Sequence, residues 1–176
     1  MTVSLRRAEP ADSVALHDLA AGTFAMACPP GTLQRDIDEF ISTVLSVEAF
    51  DGYLADPERE LFLGVLDGTP SGYTMLVYGE PTDADVAAAV TSRPAAELSK
   101  VYVLASAHGQ GLAPALMAAS LDAARARGAK AVWLGVNQRN LRANRFYEKS
   151  GFAVVGTKRF KVGEQWHDDF TRELVF

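Results

Sequence analysis

The sequence predicts an α/β protein, one mixed sheet with helices on both faces. Three observations carry this. Strand-like and helix-like segments follow one another in the order β-α-α-β-β-β-α-β-α-β-β. After residue 97 strands and helices alternate, the pattern of a sheet covered by its own connections. No internal repeat, linker or break in composition divides the 176 residues. At about 100–200 residues per domain, residues 1–176 read as a single domain.

The elements are justified in turn. Val3 to Ala8 reads as a short strand. Pro10 opens a helix in which Val14, Leu16, Leu19, Ala20, Phe24 and Ala27 recur at helical spacing. Cys28-Pro29-Pro30-Gly31 stops it. A second helix follows, with Thr32 as N-cap and Leu33, Ile37, Phe40, Ile41, Val44 and Leu45 on one face. Asp51-Gly52 and Asp56-Pro57 read as turns. Leu61 to Leu66 and Ser71 to Tyr78 are strands joined through Asp67-Gly68-Thr69-Pro70. Residues 81–96 read as a loop with a short alanine-rich helix, and Leu98 to Leu104 as the next strand. Gly109 to Arg127 is a helix ended by Gly128, Ala131 to Val136 a strand, and Asn140 to Ser150 a short helix stopped by Gly151. Phe152 to Phe160 and Trp166 to Phe176 close the chain as a strand pair turning near Gly163.

Composition excludes several classes. An apolar fraction of 48% with 22% charged residues is that of a packed globular chain, not of a disordered one. A single cysteine, Cys28, forbids an intramolecular disulfide and a cysteine-based metal cluster. His17, His108 and His167 are widely spaced, so no metal site is expected. The N-terminal MTVSLRRAEP lacks the apolar run of a signal peptide, and no transmembrane run of roughly 18 apolar residues exists. A cytoplasmic protein without a membrane partner is expected. The net charge of −5 hides a split. Residues 1–100 carry 6 Lys/Arg against 16 Asp/Glu, a net −10, and residues 101–176 carry 11 against 6, a net +5. Either helix faces of opposite sign are solvated, or two ligands of opposite charge are bound.

The stretch from Val103 to Ala113 runs from a strand through a glycine-bearing turn into a helix. Such a turn leaves several backbone N–H groups without intrahelical partners, and the helix dipole adds positive charge beside them. An anion is stabilised there, a pyrophosphate especially. Gly109 and Gly111 let the backbone approach it. The Walker pattern is absent, and Pro114 stands where the dinucleotide fingerprint needs its third glycine. ATP and NAD are therefore not expected.

His108-x-x-Gly111-x-Ala113, followed by Asn140-x-x-Ala143-x-x-Phe146-Tyr147-x-x-x-Gly151-Phe152, resembles the GCN5-related N-acetyltransferase (GNAT) superfamily. Leu134-Gly135-Val136-Asn137 and the late Gly163 and His167-Asp168-Asp169-Phe170 look like its PaiA-type branch, which includes spermidine/spermine acetyltransferases. The resemblance implies a mostly antiparallel sheet, a monomer or homodimer, and acetyl-CoA as co-substrate. It implies that the backbone N–H groups of Gly109, Gln110, Gly111, Leu112 and Ala113 hold the pyrophosphate. The backbone of Tyr102, Val103 and Leu104 would pair with the pantetheine amides as an added strand does. Asn140, Ala143 and Phe146 would lie along the CoA arm. The family usually has Arg or Gln where this chain has His108, so a weaker phosphate contact is expected. Pro114 further removes one donor from the helix's first turn.

Acetyl transfer to an amine poses two proton problems. An alkyl amine of pKa about 10 is only about 0.1% neutral at pH 7, so its proton must be taken. The CoA thiolate leaves more easily if an acid protonates it. The resemblance makes Tyr147 the acid and offers Glu97, just before a strand, as base. His167, Asp168 and Asp169 form a second acidic group that would bind a cationic substrate or finish a turn, and Glu60 is a further acidic candidate. Cys28, Trp133, Trp166 and His17 read as structural. The basic residues after 138 (Arg139, Arg142, Arg145, Lys149, Lys158, Arg159 and Lys161) come without an aromatic stacking pattern, in a chain of pI about 5.2. Nucleic acid is not expected, and one or two of them suit the CoA 3′-phosphate. The expected reaction is direct acetylation of a small polyamine-like acceptor, whose charge would suit an acidic wall from the first helices. Acetylation of a protein N-terminus or lysine, or a non-catalytic CoA-binding regulator, are the alternatives.

Overall fold

The computed structural model describes residues 1–176. Seven strands form one sheet: β1 (Val3–Arg7), β2 (Arg59–Leu66), β3 (Thr69–Tyr78), β4 (Ala95–Val103), β5 (Ala131–Asn137), β6 (Ala153–Val162) and β7 (Gln165–Val175). Six α-helices accompany them: α1 (Ser13–Ala27), α2 (Gln34–Thr43), α3 (Val47–Ala55), α4 (Ala84–Ala89), α5 (Leu112–Ala126) and α6 (Leu141–Lys149). The spatial order is β1-β2-β3-β4-β5-β7-β6. Every neighbouring pair is antiparallel except β4 with β5. This is the mixed, mostly antiparallel α/β architecture expected, with helices on both faces.

Local chemistry explains the elements. Asp67 (φ +48°) and Gly68 (φ +82°) form the two-residue turn between β2 and β3, as an Asp-Gly hairpin requires. Around α2 and α3 the structure departs from the sequence expectation twice. Asp51-Gly52 is not a turn but lies inside α3. The Ser46 hydroxyl accepts the Ala49 N–H at 3.0 Å and starts that helix, and Phe50 is fully buried beneath it. Burial of that side chain, worth about 2–3 kcal/mol, outweighs the roughly 1 kcal/mol helix cost of Gly52. Thr32 does not cap α2, because its hydroxyl donates to the Pro29 carbonyl at 2.7 Å and Leu33 occupies the cap position.

The core is split by the sheet. On one face Leu16, Phe24, Ile37, Phe50, Leu63, Tyr73 and Val162 pack beneath α1, α2 and α3. On the other Leu76, Leu98, Met117, Leu134 and Phe152 pack beneath α5 and α6. α4 covers Ala95, Ala131 and Trp133 through Val86 and Val90.

What positions the site is an interruption in the sheet. β4 and β5 pair only at Ala95–Ala131, Ala96–Val132 and Glu97–Trp133. Beyond Glu97 the two strands part. On β4's other side the ladder to β3 slips between Met75 and Leu76, leaving Ser99 without an opposite residue. The slip and the parting open one gap through the sheet.

Candidate active site

A cavity of about 450 Å³ fills the gap between β4 and β5. One wall is β4 from Glu97 to Val103, and the opposite wall is Gly135, Val136 and Asn137 of β5. Leu104 lies just past the end of β4, and its N–H donates to the Ser71 carbonyl at 2.9 Å. Alternation along an antiparallel ladder then directs the backbone of Tyr102 to β3 as well, and that of Val101 and Val103 to the open side. The expected pantetheine edge is thus corrected: among the three expected residues, only Val103 turns backbone to the cavity, and only its N–H is free, because its carbonyl accepts from His108. Val101, not singled out from sequence, turns both its N–H and its carbonyl to the open side. The Tyr102 side chain does line the cavity.

At one end of the cavity lies the glycine turn. The helix begins at Leu112, not Gly109, because Gly109 (φ +77°) and Gly111 (φ +82°) hold the left-handed conformation. No backbone N–H from Gly109 to Ala113 finds an acceptor within the chain. Five free donors therefore lie along the turn and the first two residues of a 15-residue helix, with open space where either glycine's Cβ would stand. The buried side chains of Ala107, Leu112 and Leu116 fix the turn from beneath, and the Gln110 side chain donates to the Ser106 carbonyl at 2.7 Å. His108 is the departure. Its Nε2 donates to the Val103 carbonyl at 2.9 Å, and its Nδ1 accepts from the Arg142 guanidinium. Both ring nitrogens are occupied, so His108 does not stand free to bind an anion. The group carrying positive charge beside the turn is Arg142, from α6.

α6 is anchored from three sides. The Asn140 side chain accepts the Ala143 N–H at 3.1 Å and caps it. Buried Asn144 donates to the carbonyls of Asn137 (3.0 Å) and Asn140 (2.9 Å) and accepts from Arg172 Nε at 3.1 Å. Gly151 (φ +98°) ends the helix, and the Phe152 N–H returns to the Tyr147 carbonyl at 3.0 Å. Asn140, Ala143, Phe146 and Tyr147 are thereby presented to the cavity. The Tyr147 ring meets Phe152 edge-on at 6.1 Å, and burial pushes its phenol up to about 12.

Glu97 lies inside β4 rather than ahead of it, at the residue where β5 leaves. It lines the cavity, and desolvation raises its carboxyl above the usual range against the pull of Lys158, Lys100 and Arg59. Two of these cations have carboxylates of their own: Arg59 with Asp56 at 3.1 Å and Lys158 with Asp169 at 3.5 Å. The Lys158–Asp169 pair lies across Gly135, where any Cβ would collide with the lysine stem. Burial raises the Asp169 carboxyl, and Lys158 opposes the shift. Lys100, buried nearby, is pushed down to about 8 by desolvation. The sequence reading did not place Lys100, Lys158 or Gly135 beside Glu97: Gly135 entered only in the branch motif, Lys158 only among the basic residues suited to the CoA 3′-phosphate, and Lys100 not at all. The bulge and a cross-strand register bring them in.

Two expected substrate residues lie elsewhere. On β7, His167 and Asp169 face the cavity, but Asp168 between them is exposed on the opposite side, as strand alternation demands. Glu60 sits on β2, away from the cavity, accepting from Arg7 at 2.6 Å and from the Tyr78 hydroxyl at 3.2 Å. The acidic wall is corrected too. Of the 16 Asp/Glu in residues 1–100, Glu97 alone lines the cavity. Cys28 lines it as a half-buried thiol pushed up to about 11 by desolvation and bonded to the Phe24 carbonyl.

A model of the Acetyltransferase (GNAT) family matches residues 26–152, which hold the glycine turn, the parting strands and α6. The chain belongs to the GNAT acetyltransferase family. This GNAT chain is 43% identical to an uncharacterised N-acetyltransferase of Mycobacterium tuberculosis over 166 residues, 93% of this chain and 99% of the relative. Among solved structures, PaiA N-acetyltransferase from Thermoplasma acidophilum in complex with coenzyme A superposes with a TM-score of 0.78 at 18% identity, covering all of both chains. Ribosomal-protein-alanine N-acetyltransferase from Brucella melitensis gives 0.73 at 21% identity, over 98% of this GNAT chain and 99% of its own. The parted strands and free donors fit acetyl-CoA as co-substrate. The cavity offers one unpaired strand edge for amides and one donor cluster for phosphates. No helix is long and apolar enough to cross a membrane.

Proposed function

We propose that this GNAT enzyme transfers the acetyl group of acetyl-CoA to the primary amine of a small acceptor by direct attack in a ternary complex. The observation that carries this is the cavity itself, which runs from His108 and Ala113, the residues flanking the turn with free N–H groups, past Tyr147 to Glu97. The five donors and the α5 dipole hold the pyrophosphate. Arg142 supplies the cationic contact that His108 does not. The backbone of Val101 and the N–H of Val103 pair with the pantetheine amides as an added strand.

Glu97 takes the ammonium proton, directly or through one water. Desolvation brings its carboxyl toward the operating pH, which improves a general base. The amine nitrogen then bonds to the thioester carbonyl carbon, the carbon–sulfur bond breaks, and Tyr147 donates its proton to the departing sulfur. A phenol held protonated up to about 12 suits an acid and not a base. No nucleophile supports an acyl-enzyme route: Cys28 is desolvated and hydrogen-bonded, the reverse of an activated thiolate. A polyamine acceptor, the charge-based expectation, lacks the acidic wall that motivated it, and the 18% likeness to PaiA bears on the fold.

The test is thiol release from acetyl-CoA with a panel of amines, amino acids and peptides. Turnover with an amine, lost in Tyr147→Phe and Glu97→Gln while acetyl-CoA still binds, is expected. Tight acetyl-CoA binding without release on any acceptor rejects catalysis and leaves a CoA-binding regulator.

A further inference from the structure

The acceptor end of the cavity is lined by side chains that no motif singled out. Phe24 and Met26 come from α1, Phe40 from α2, Val44 and Leu45 from the turn after it, and Phe160 from β6. Phe24 and Phe40 stack at 4.4 Å with ring planes 4° apart, and Phe160 meets Phe40 edge-on at 5.9 Å. Met26 is 47% exposed and Val44 37%, so the apolar lining continues to the mouth. Leu45 is fully buried behind them.

The charges at this end are few. Glu97 and Asp169 are its carboxylates, and Asp169 is held by Lys158. Glu97 faces two cations, Lys100 and Lys158. One carboxylate is therefore free to meet one substrate ammonium. A second ammonium further along the acceptor would lie against phenylalanine and valine with no anion to pair with, and two lysines would repel it. Leaving a charge desolvated and unpaired costs more than the hydrocarbon contacts return. Stacking hides one face of both Phe24 and Phe40, which removes half of the surface that a cation–π contact would use.

The geometry points to a monoamine with an apolar body, such as an arylalkyl or alkyl amine, as the acceptor class: its nitrogen meets Glu97 and its hydrocarbon fills the Phe24–Phe40–Phe160 lining. This rests on the acetyltransferase reading above. The apolar contact extends over the ring of one arylalkyl amine, whereas a polyamine's methylenes can make theirs only by burying a second charge with them.

The experiment is calorimetric titration of the CoA-saturated protein with phenethylamine, ethanolamine and spermidine, beside thiol release with the same three amines and acetyl-CoA. Phenethylamine should bind at least about tenfold more tightly than either other amine, as burial of its ring predicts. Phe40→Ala should weaken phenethylamine and leave spermidine unchanged. Val44→Asp sets a carboxylate at the exposed mouth, and it should tighten spermidine while weakening phenethylamine. A gain of that kind cannot come from a damaged fold. Spermidine binding as tightly as phenethylamine to the unaltered protein overturns the proposal, as does a Phe40→Ala protein with unchanged phenethylamine affinity. Phenethylamine that binds, in a protein that releases thiol with no amine of the wider panel, supports the pocket assignment and rejects the catalytic reading instead, so the two failures are told apart.

Discussion

Tyr147 and Glu97 stand on different elements, and each has a separable signature. Tyr147→Phe removes one hydroxyl and leaves the edge-on contact with Phe152. Its kcat should fall by about 10²-fold or more, the scale of a lost general acid, with acetyl-CoA affinity unchanged by calorimetry. Glu97 must be ionised to accept a proton. Desolvation raises its carboxyl, so activity should climb with pH along a limb lying above the ordinary carboxylate range. The sign for Lys158 follows. This cation holds the Glu97 carboxyl down, so Lys158→Met should move the limb to higher pH, and Glu97→Gln should abolish it. A kcat/KM profile across pH checks both. At the phosphate end, both His108 nitrogens are engaged, and Arg142, which donates to one of them, carries the positive charge. Arg142→Ala should weaken acetyl-CoA more than His108→Gln does, measured as dissociation constants. Equal losses would return His108 to the role expected of it from sequence.

At the scale of elements, α6 depends on one buried amide. Asn144 joins Asn137, Asn140 and Arg172, and Arg172 in turn donates to the Phe152 carbonyl at 3.0 Å. Asn144→Ala strands a buried guanidinium N–H, while the Asn137 and Asn140 carbonyls keep the backbone N–H groups of Asn140 and Asn144. It should lower stability by about 1–3 kcal/mol, read as a shift of the urea midpoint. kcat should fall with it, because Tyr147 rides on that helix. The elements also show what sequence carries. The helix spacing of α1 and α5, the Asp-Gly hairpin and the glycine turn were legible, because local pattern decides them. So was Tyr147, through its motif. The parting of β4 from β5 was not, since a register slip at Ser99 leaves no local mark. Its consequences were lost with it: Glu97 inside a strand, Val101 rather than Tyr102 on the open edge, and Lys158 reaching across Gly135. Asp168 and Asp169 looked alike as neighbours. Strand alternation set them on opposite faces, burying one and exposing the other.

At the scale of the whole molecule, the two charged halves behave differently. The net +5 of residues 101–176 includes the glycine turn and Arg142, where an anion is to be held. Of the carboxylates behind the −10 of residues 1–100, Glu97 alone lines the cavity; Asp12 and Glu60 are held by Arg6 and Arg7, Asp36 is buried elsewhere, and most of the rest are exposed. Salt separates these roles. Interactions near the surface are screened beyond a Debye length of about 10 Å at 0.1 M, and buried ones far less. Raising NaCl from about 0.05 M to about 0.5 M shortens that length roughly threefold. The acetyl-CoA dissociation constant should then rise several-fold, because phosphate charge meets Arg142 and the α5 dipole at an open end. The KM for a monoamine acceptor should stay nearly constant, since its binding rests on hydrocarbon burial and on one enclosed carboxylate. Steady-state kinetics at saturating acetyl-CoA, repeated across the salt series, measure the second quantity without the first. A steep rise in amine KM with salt would mean that the acidic half draws the acceptor in after all, and that its carboxylates act on the substrate from outside the cavity.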